Sequence, residues 1–268
     1  MKLAVSNIAW ETVGMNEHLA LLQKEGCEGL EVSASMIWPE PLEVPLSGVN
    51  AFKKSVKSFG LEMPSMHSLT YSCQDLTLFD SDESRQELIG YIIKLGHIAN
   101  ILEIPVMIFG SSKSRQIGPR DKNNCFRIMV ESFRAMAIGL NPLGVTLLIE
   151  PLSSQYTDSI INTDEAMQLI TSVDHPNFDL HIDLKSSFAE KEDYARVWSE
   201  YAGHIKHCHV ANPELNPPNS DCIDHTLAAR AIKKSGYDRY ISIEMKKTAD
   251  SLSTVRDAIR FVRRIYFS

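Results

Sequence analysis

Four stretches decide how this chain folds: VTLLIEP (145–151), FDLHIDL (178–184), IKHCHV (205–210) and YISIEMK (240–246). Each is a short apolar run that closes on a potential metal ligand, namely Glu150, Asp183, His209 and Glu244. Successive ligands stand 33, 26 and 35 positions apart, and each interval fits one strand–helix–strand crossover. A carboxylate at the end of a parallel strand is costly to bury unless something pairs with it. If the sheet closes, the four side chains share one rim, and a divalent cation is the simplest group that satisfies them together.

The first half of the chain continues the same unit. Strands are expected at Lys2–Ser6, at GLEVSA (29–34), at LEMPSMH (61–67) and at IPVMIFG (104–110). Helices are expected over about 15–25, 49–59, 81–102, 121–138, 162–173, 191–201, 225–234 and 251–266. The segment 81–102 shows the helical spacing at Leu88, Tyr91, Ile92, Leu95 and Ile98, behind an N-cap at Ser81 or Asp82. Pro39, Pro41 and Pro45 exclude a regular helix between the second strand and the next helix. Eight strand–helix alternations in about 250 residues predict a single α/β domain over 1–268, a (β/α)8 TIM barrel. An open doubly wound sheet is the alternative, but no G-x-G-x-x-G follows an early strand.

Composition narrows the function classes. The 268 residues are 44% hydrophobic and 23% charged with a net charge of −7, which argues against dependence on nucleic-acid phosphates. Five cysteines lack any Cys-x-x-Cys spacing, which suggests free thiols in a reducing compartment. The apolar run at the N-terminus is too short for a signal peptide, and no segment is long enough for a membrane span. A cytoplasmic location is the default expectation, and a homo-oligomer is left open.

In a barrel of this kind the active site lies at the C-terminal strand ends, where all four ligands fall. Alternation along the strands puts Leu148, His181, His207 and Ser242 one layer deeper. His181 and His207 are therefore expected as packed layer residues, one of which could orient a ligand. A single strand-end carboxylate ordinarily caps the next helix, and a single buried histidine is ordinarily a core residue. Four at equivalent positions on consecutive strands carry more weight. Glu31 should face the barrel interior and need a buried partner, while His67 ends the third strand and is a substrate-pocket candidate. Trp10 and Trp38 follow the first two strands, either as apolar pocket walls or packed against each other. Lys113 and Arg115 follow the fourth, either as an anion site or as a solvated pair.

The motifs I-E-P-L at Glu150, N-T at Asn162 and Thr163, H-P-N before the sixth strand, I-D at Asp183, H-x-H-V at His209 and S-I-E-M at Glu244 resemble the xylose isomerase-like superfamily. Within it, the sugar-phosphate isomerase/epimerase group, which includes the ketose 3-epimerases, is the most similar, and the resemblance covers nearly the whole chain. It implies one divalent metal ion on Glu150, Asp183, His209 and Glu244, a small carbohydrate substrate, and Glu150 and Glu244 as the acid/base pair that exchanges a proton beside a metal-polarised carbonyl. Mn2+ is the first expectation; Mg2+ and Co2+ suit the same donors, and Zn2+ also accepts them. The loop GSSKSR (110–115) resembles a G-S-P-K-x-R loop in a subset of the superfamily.

Three positions depart from the ketose epimerases. Their substrate-binding histidine, arginine and glutamate correspond to Ser186, Leu215 and Tyr156. The expectation is therefore an isomerase or epimerase of a sugar or sugar phosphate other than a free ketohexose. A regulatory sugar-binding barrel that keeps the ion is the alternative. An abasic-site endonuclease is disfavoured, since the fourth strand ends in Phe109-Gly110 with no histidine.

Overall fold

The computed structural model describes all residues, Met1–Ser268. Eight parallel strands close into a barrel in chain order: β1 (Lys2–Ser6), β2 (Gly29–Ser33), β3 (Ser65–His67), β4 (Val106–Phe109), β5 (Thr146–Ile149), β6 (Phe178–Asp183), β7 (Ile205–Val210) and β8 (Tyr240–Ile243). β8 pairs back onto β1 through Lys2–Tyr240 to Val5–Ile243, so no strand edge is left exposed. β3 is the shortest strand because Pro64 precedes it and cannot donate to the ladder.

The helices cover the barrel with their apolar stripes, and their ends are capped by local side chains. Asn162 accepts from Glu165 N at 2.9 Å, while the Glu165 carboxylate reaches back to Ile161 N at 3.0 Å. Asp121 and Asp250 accept from Asn124 N and Ser253 N in the same way. Between helix Lys122–Leu140 and the barrel, the Phe133 ring stacks on Phe178 at 5.1 Å and meets Phe109 edge-on at 5.0 Å.

Several elements differ from expectation, among them the helix expected over 191–201, which runs from Tyr194 to Glu200. The helix after the proline-rich loop is Leu46–Ser58; it starts three residues earlier because Pro45 takes the N-cap position, where a missing N–H costs nothing. A short helix, Leu184–Ala189, follows β6 directly; Asp183 caps it by accepting from Lys185 N at 2.8 Å. The proline loop holds only single turns, at Ala34–Ile37 and Pro41–Glu43. No helix is long and apolar enough to cross a membrane.

Candidate active site

Glu150 and Glu244 each stand one residue beyond a strand, yet both remain tied to the ladder. Glu150 N donates to Phe109 O and Glu244 N to Val210 O, each at 3.2 Å. This leaves their side chains at the barrel mouth beside Asp183, which ends β6, and His209, the last residue but one of β7. Ligand atoms of Glu150, Asp183 and His209 lie within 4.8 Å of one another, and Glu244 Oε2 is 3.5 Å from His209 Nδ1. All four strand-end residues are thus brought together.

Beneath them lies a buried network centred on Glu31, which is wholly enclosed. Its carboxylate accepts from Ser65 Oγ at 2.6 Å, from Ser242 Oγ at 3.0 Å and from His209 Nε2 at 3.0 Å, with His207 Nε2 3.4 Å away. Burial alone would raise the Glu31 pKa, but His209, His67 and His207 outweigh it and hold the carboxyl well below its usual range. His181 and His207 pack in this layer with their ring centroids 5.3 Å apart. Burial depresses both and keeps them neutral, His207 down to about 3.

The network sets the chemistry of His209. Its Nε2 is committed to Glu31, and its Nδ1 is buried without a hydrogen-bond partner. A carboxylate on one imidazole nitrogen and an open second nitrogen is how a metal-binding histidine is fixed. With Glu150, Asp183 and Glu244 beside that nitrogen, the donor set is three carboxylates and one imidazole. These residues fit a divalent ion of the Mn2+ or Mg2+ type.

The two glutamates differ in electrostatic setting. Burial, with Asp183 and Glu244 nearby, pushes Glu150 up to about 8. Burial also opposes ionisation of Glu244, but His209 and a hydrogen bond from His67 hold it down at about 2. His67 Nδ1 lies 3.2 Å from Glu244 Oε1, and its Nε2 shares a 2.6 Å hydrogen bond with Ser6 Oγ. His67 therefore positions Glu244 from the wall of the cleft.

A cleft of about 560 Å3 opens above these groups; Glu150, Glu244, His67 and Lys113 are among its lining residues. Lys113 is exposed and 3.8 Å from Asp75. Three of the expected pocket residues do not line this cleft. Arg115 is fully buried, donating Nη2–H to the Glu150 carbonyl at 2.9 Å, which holds it under the cleft floor. Trp10 is buried by stacking on His18 at 4.6 Å and borders a separate cavity beside Lys247. Trp38 packs edge-on against Phe52 at 5.5 Å. The aromatic walls are instead Tyr71 and Tyr156, both substantially exposed.

Two residues that sequence reasoning passed over belong to the site. Gly110 lies so close to Glu150 that a Cβ there would overlap Oε2 and sit 2.9 Å from Cδ. Lys185 reaches its ammonium to Asp183 Oδ2 and lines the cleft. Burial works against the Lys185 charge, yet Asp183, Glu244 and Glu150 outweigh it and hold the ammonium above its usual range. A lysine two positions after a strand-end aspartate was the available signal.

A closed parallel barrel that gathers three carboxylates and a histidine at its C-terminal strand ends defines the class of fold and site. The chain belongs to the xylose isomerase-like TIM barrel family, whose sequence pattern it matches over residues 19–265. Among curated proteins it is similar to the 3-dehydro-D-guloside 4-epimerase of Escherichia coli K12, 19% identical with 98% of this chain and 99% of the relative covered. It is also similar to a probable ketose 3-epimerase of Synechocystis, at 23% identity over 91% and 84% of the two chains. Its fold matches the D-psicose 3-epimerase of Clostridium cellulolyticum H10, solved with D-tagatose, with a TM-score of 0.84 at 18% identity over 99% of each chain.

Proposed function

We propose that this protein is a divalent-metal-dependent epimerase or isomerase of a sugar or sugar derivative. The observation that carries the reading is the convergence of Glu150, Asp183, Glu244 and the open Nδ1 of His209 at the mouth of one barrel. Both curated relatives named above are sugar epimerases, which supports the same class of reaction. A divalent ion on these donors would polarise a carbonyl and make the proton on the adjacent carbon removable.

Proton exchange then falls to the chain's own carboxylates. Glu150 and Glu244 both line the cleft, and two carboxylates beside one substrate suit removal of a proton by one and its return by the other. His67 keeps Glu244 oriented, and the carbonyl of Glu150 is anchored from below by Arg115. Tyr156 and Leu215 line the cleft where free-ketose epimerases carry charged contacts, which supports a sugar derivative as substrate.

The same departures, with Ser186 buried and its Oγ unpartnered, favour one second reading: a sugar-binding barrel that keeps the ion without turnover. Incubation with Mn2+ in D2O and a panel of ketoses, ketose phosphates and keto-glycosides separates the two. The epimerase reading expects deuterium at the carbon next to the carbonyl. Tight sugar binding with no label in any compound would overturn it in favour of the binder.

A further inference from the structure

The ion-binding reading gives Lys185 a role that the acid/base chemistry does not use. The Lys185 ammonium is in direct contact with Asp183 Oδ2, and its side chain is 11% exposed against 0% for that of Asp183. The Lys185 backbone N–H also holds Asp183 Oδ1, at 2.8 Å. Both Asp183 oxygens are therefore engaged by one residue, and an ion that takes Oδ2 as its ligand atom displaces the ammonium.

The surroundings leave that ammonium one way out. Asp183, His209 and Glu31 are sealed below it, while the cleft lined by Lys185, Glu150 and Glu244 opens above. Lysine suits such an exchange: it is a compact point charge on a flexible four-carbon stem, free of the fixed fork geometry of arginine. The other basic groups near the cleft cannot stand in. Lys113 is directed to Asp75 at the exposed rim, and Arg115 lies under the floor bound to the Glu150 carbonyl.

We propose that Lys185 is a tethered counter-cation that competes with the divalent ion for Asp183, so that ion binding expels its ammonium into the substrate cleft. Lys185 then sets the affinity of the site from within and, once the ion is bound, presents a positive charge to the substrate space. The inference rests on the ion-binding reading of the four strand-end residues.

Two measurements without substrate test it. In a titration of the ion-stripped protein with Mn2+, following free Mn2+ by electron paramagnetic resonance, Lys185→Met should bind at least about tenfold more tightly than the native chain. Equal or weaker binding by the variant overturns the proposal while leaving the ion site intact. Binding by neither protein overturns both this inference and the ion-binding reading. On the native protein alone, acetylation of Lys185 by acetic anhydride, read by peptide mass spectrometry, should increase several-fold when Mn2+ is added, because the ammonium leaves its carboxylate for the open cleft. Labelling unchanged by bound Mn2+ overturns the proposal whether or not the variant folds.

Discussion

His209 Nε2 lies 2.9 Å from one oxygen of Glu31 and 3.0 Å from the other, and this pairing decides which imidazole nitrogen faces the cleft. Burial opposes charge on the His209 ring, but Glu31, Glu244 and Glu150 outweigh it and raise its pKa to about 10, so Nδ1 offers a lone pair to an ion among the converging carboxylates once its proton has left. The orientation of the His209 ring is thus fixed from β2, three strands away from β7 around the closed barrel.

Glu31→Gln keeps the shape of the side chain but removes its charge. The variant should bind Mn2+ about 10–100-fold more weakly, the usual effect of losing a carboxylate behind a metal-binding histidine. Calorimetric titration of the ion-stripped protein reads this directly; unchanged affinity would show that His209 is held by other means.

Glu150→Gln and Glu244→Gln should each lower solvent deuterium exchange by at least about 100-fold while the protein still binds Mn2+. The scale is that of losing one general acid or base. Full exchange in either variant removes that residue from the proton-transfer pair.

Gly110→Ala isolates position from charge. The added methyl overlaps the Glu150 carboxylate, which must swing away, while the surrounding loop stays solvent-facing. Deuterium exchange should fall by about 100-fold, the scale expected for an ångström-sized misplacement of a reacting group. Stability in urea should change by less than about 2 kcal/mol.

Lys113→Ala distinguishes an anionic substrate from a neutral one. The side chain is solvated and only loosely paired with Asp75, so the substitution should change stability by less than about 1 kcal/mol. If the substrate carries a phosphate or carboxylate at this rim, KM should rise with kcat preserved. A neutral sugar should show neither change.

His225 gives a pH signature away from the catalytic groups. Its Nδ1 lies 2.7 Å from Tyr266 Oη and its Nε2 3.1 Å from Asn212 Oδ1, an arrangement suited to the neutral ring. Burial lowers its pKa from 6.5 to about 4, outweighing the opposing charge of Asp224. Between those values the unfolded chain binds the extra proton, so stability rises with pH there. The contribution is present above about pH 6.5 and is lost as pH falls to about 4, up to about 3 kcal/mol in all. Urea unfolding of His225→Phe at pH 7 and pH 5 should show a correspondingly smaller pH dependence than the native protein.

The sequence carried the barrel and the four polar residues at its strand ends because a buried parallel strand is a continuous apolar run, and a polar residue closing it is conspicuous. Glu31 could be placed inside the barrel by alternation, but not assigned its partners, since His209, Ser65 and Ser242 come from three distant strands. Helix Leu184–Ala189 offers only Leu184 and Phe188 as an apolar pair, and its cap is the strand-end Asp183 itself, so little in the sequence announced it. Trp10 and Arg115 were expected at the cleft because their loops are there. A stacking partner in one case and a carbonyl acceptor in the other turned the side chains inward, and such choices are made by tertiary contacts.

The loop after β7 carries a further consequence. Glu214 and Leu215 both hold left-handed backbone, with φ of 59° and 56°, and Leu215 O accepts from Lys246 N at 2.7 Å. Non-glycine residues occupy that region only where their surroundings hold them. The clamp links a residue that lines the cleft to the segment two positions beyond Glu244. The loops after β7 and β8 are thereby buttoned together at the barrel mouth, and the main chain that leaves Glu244 is anchored to the cleft wall.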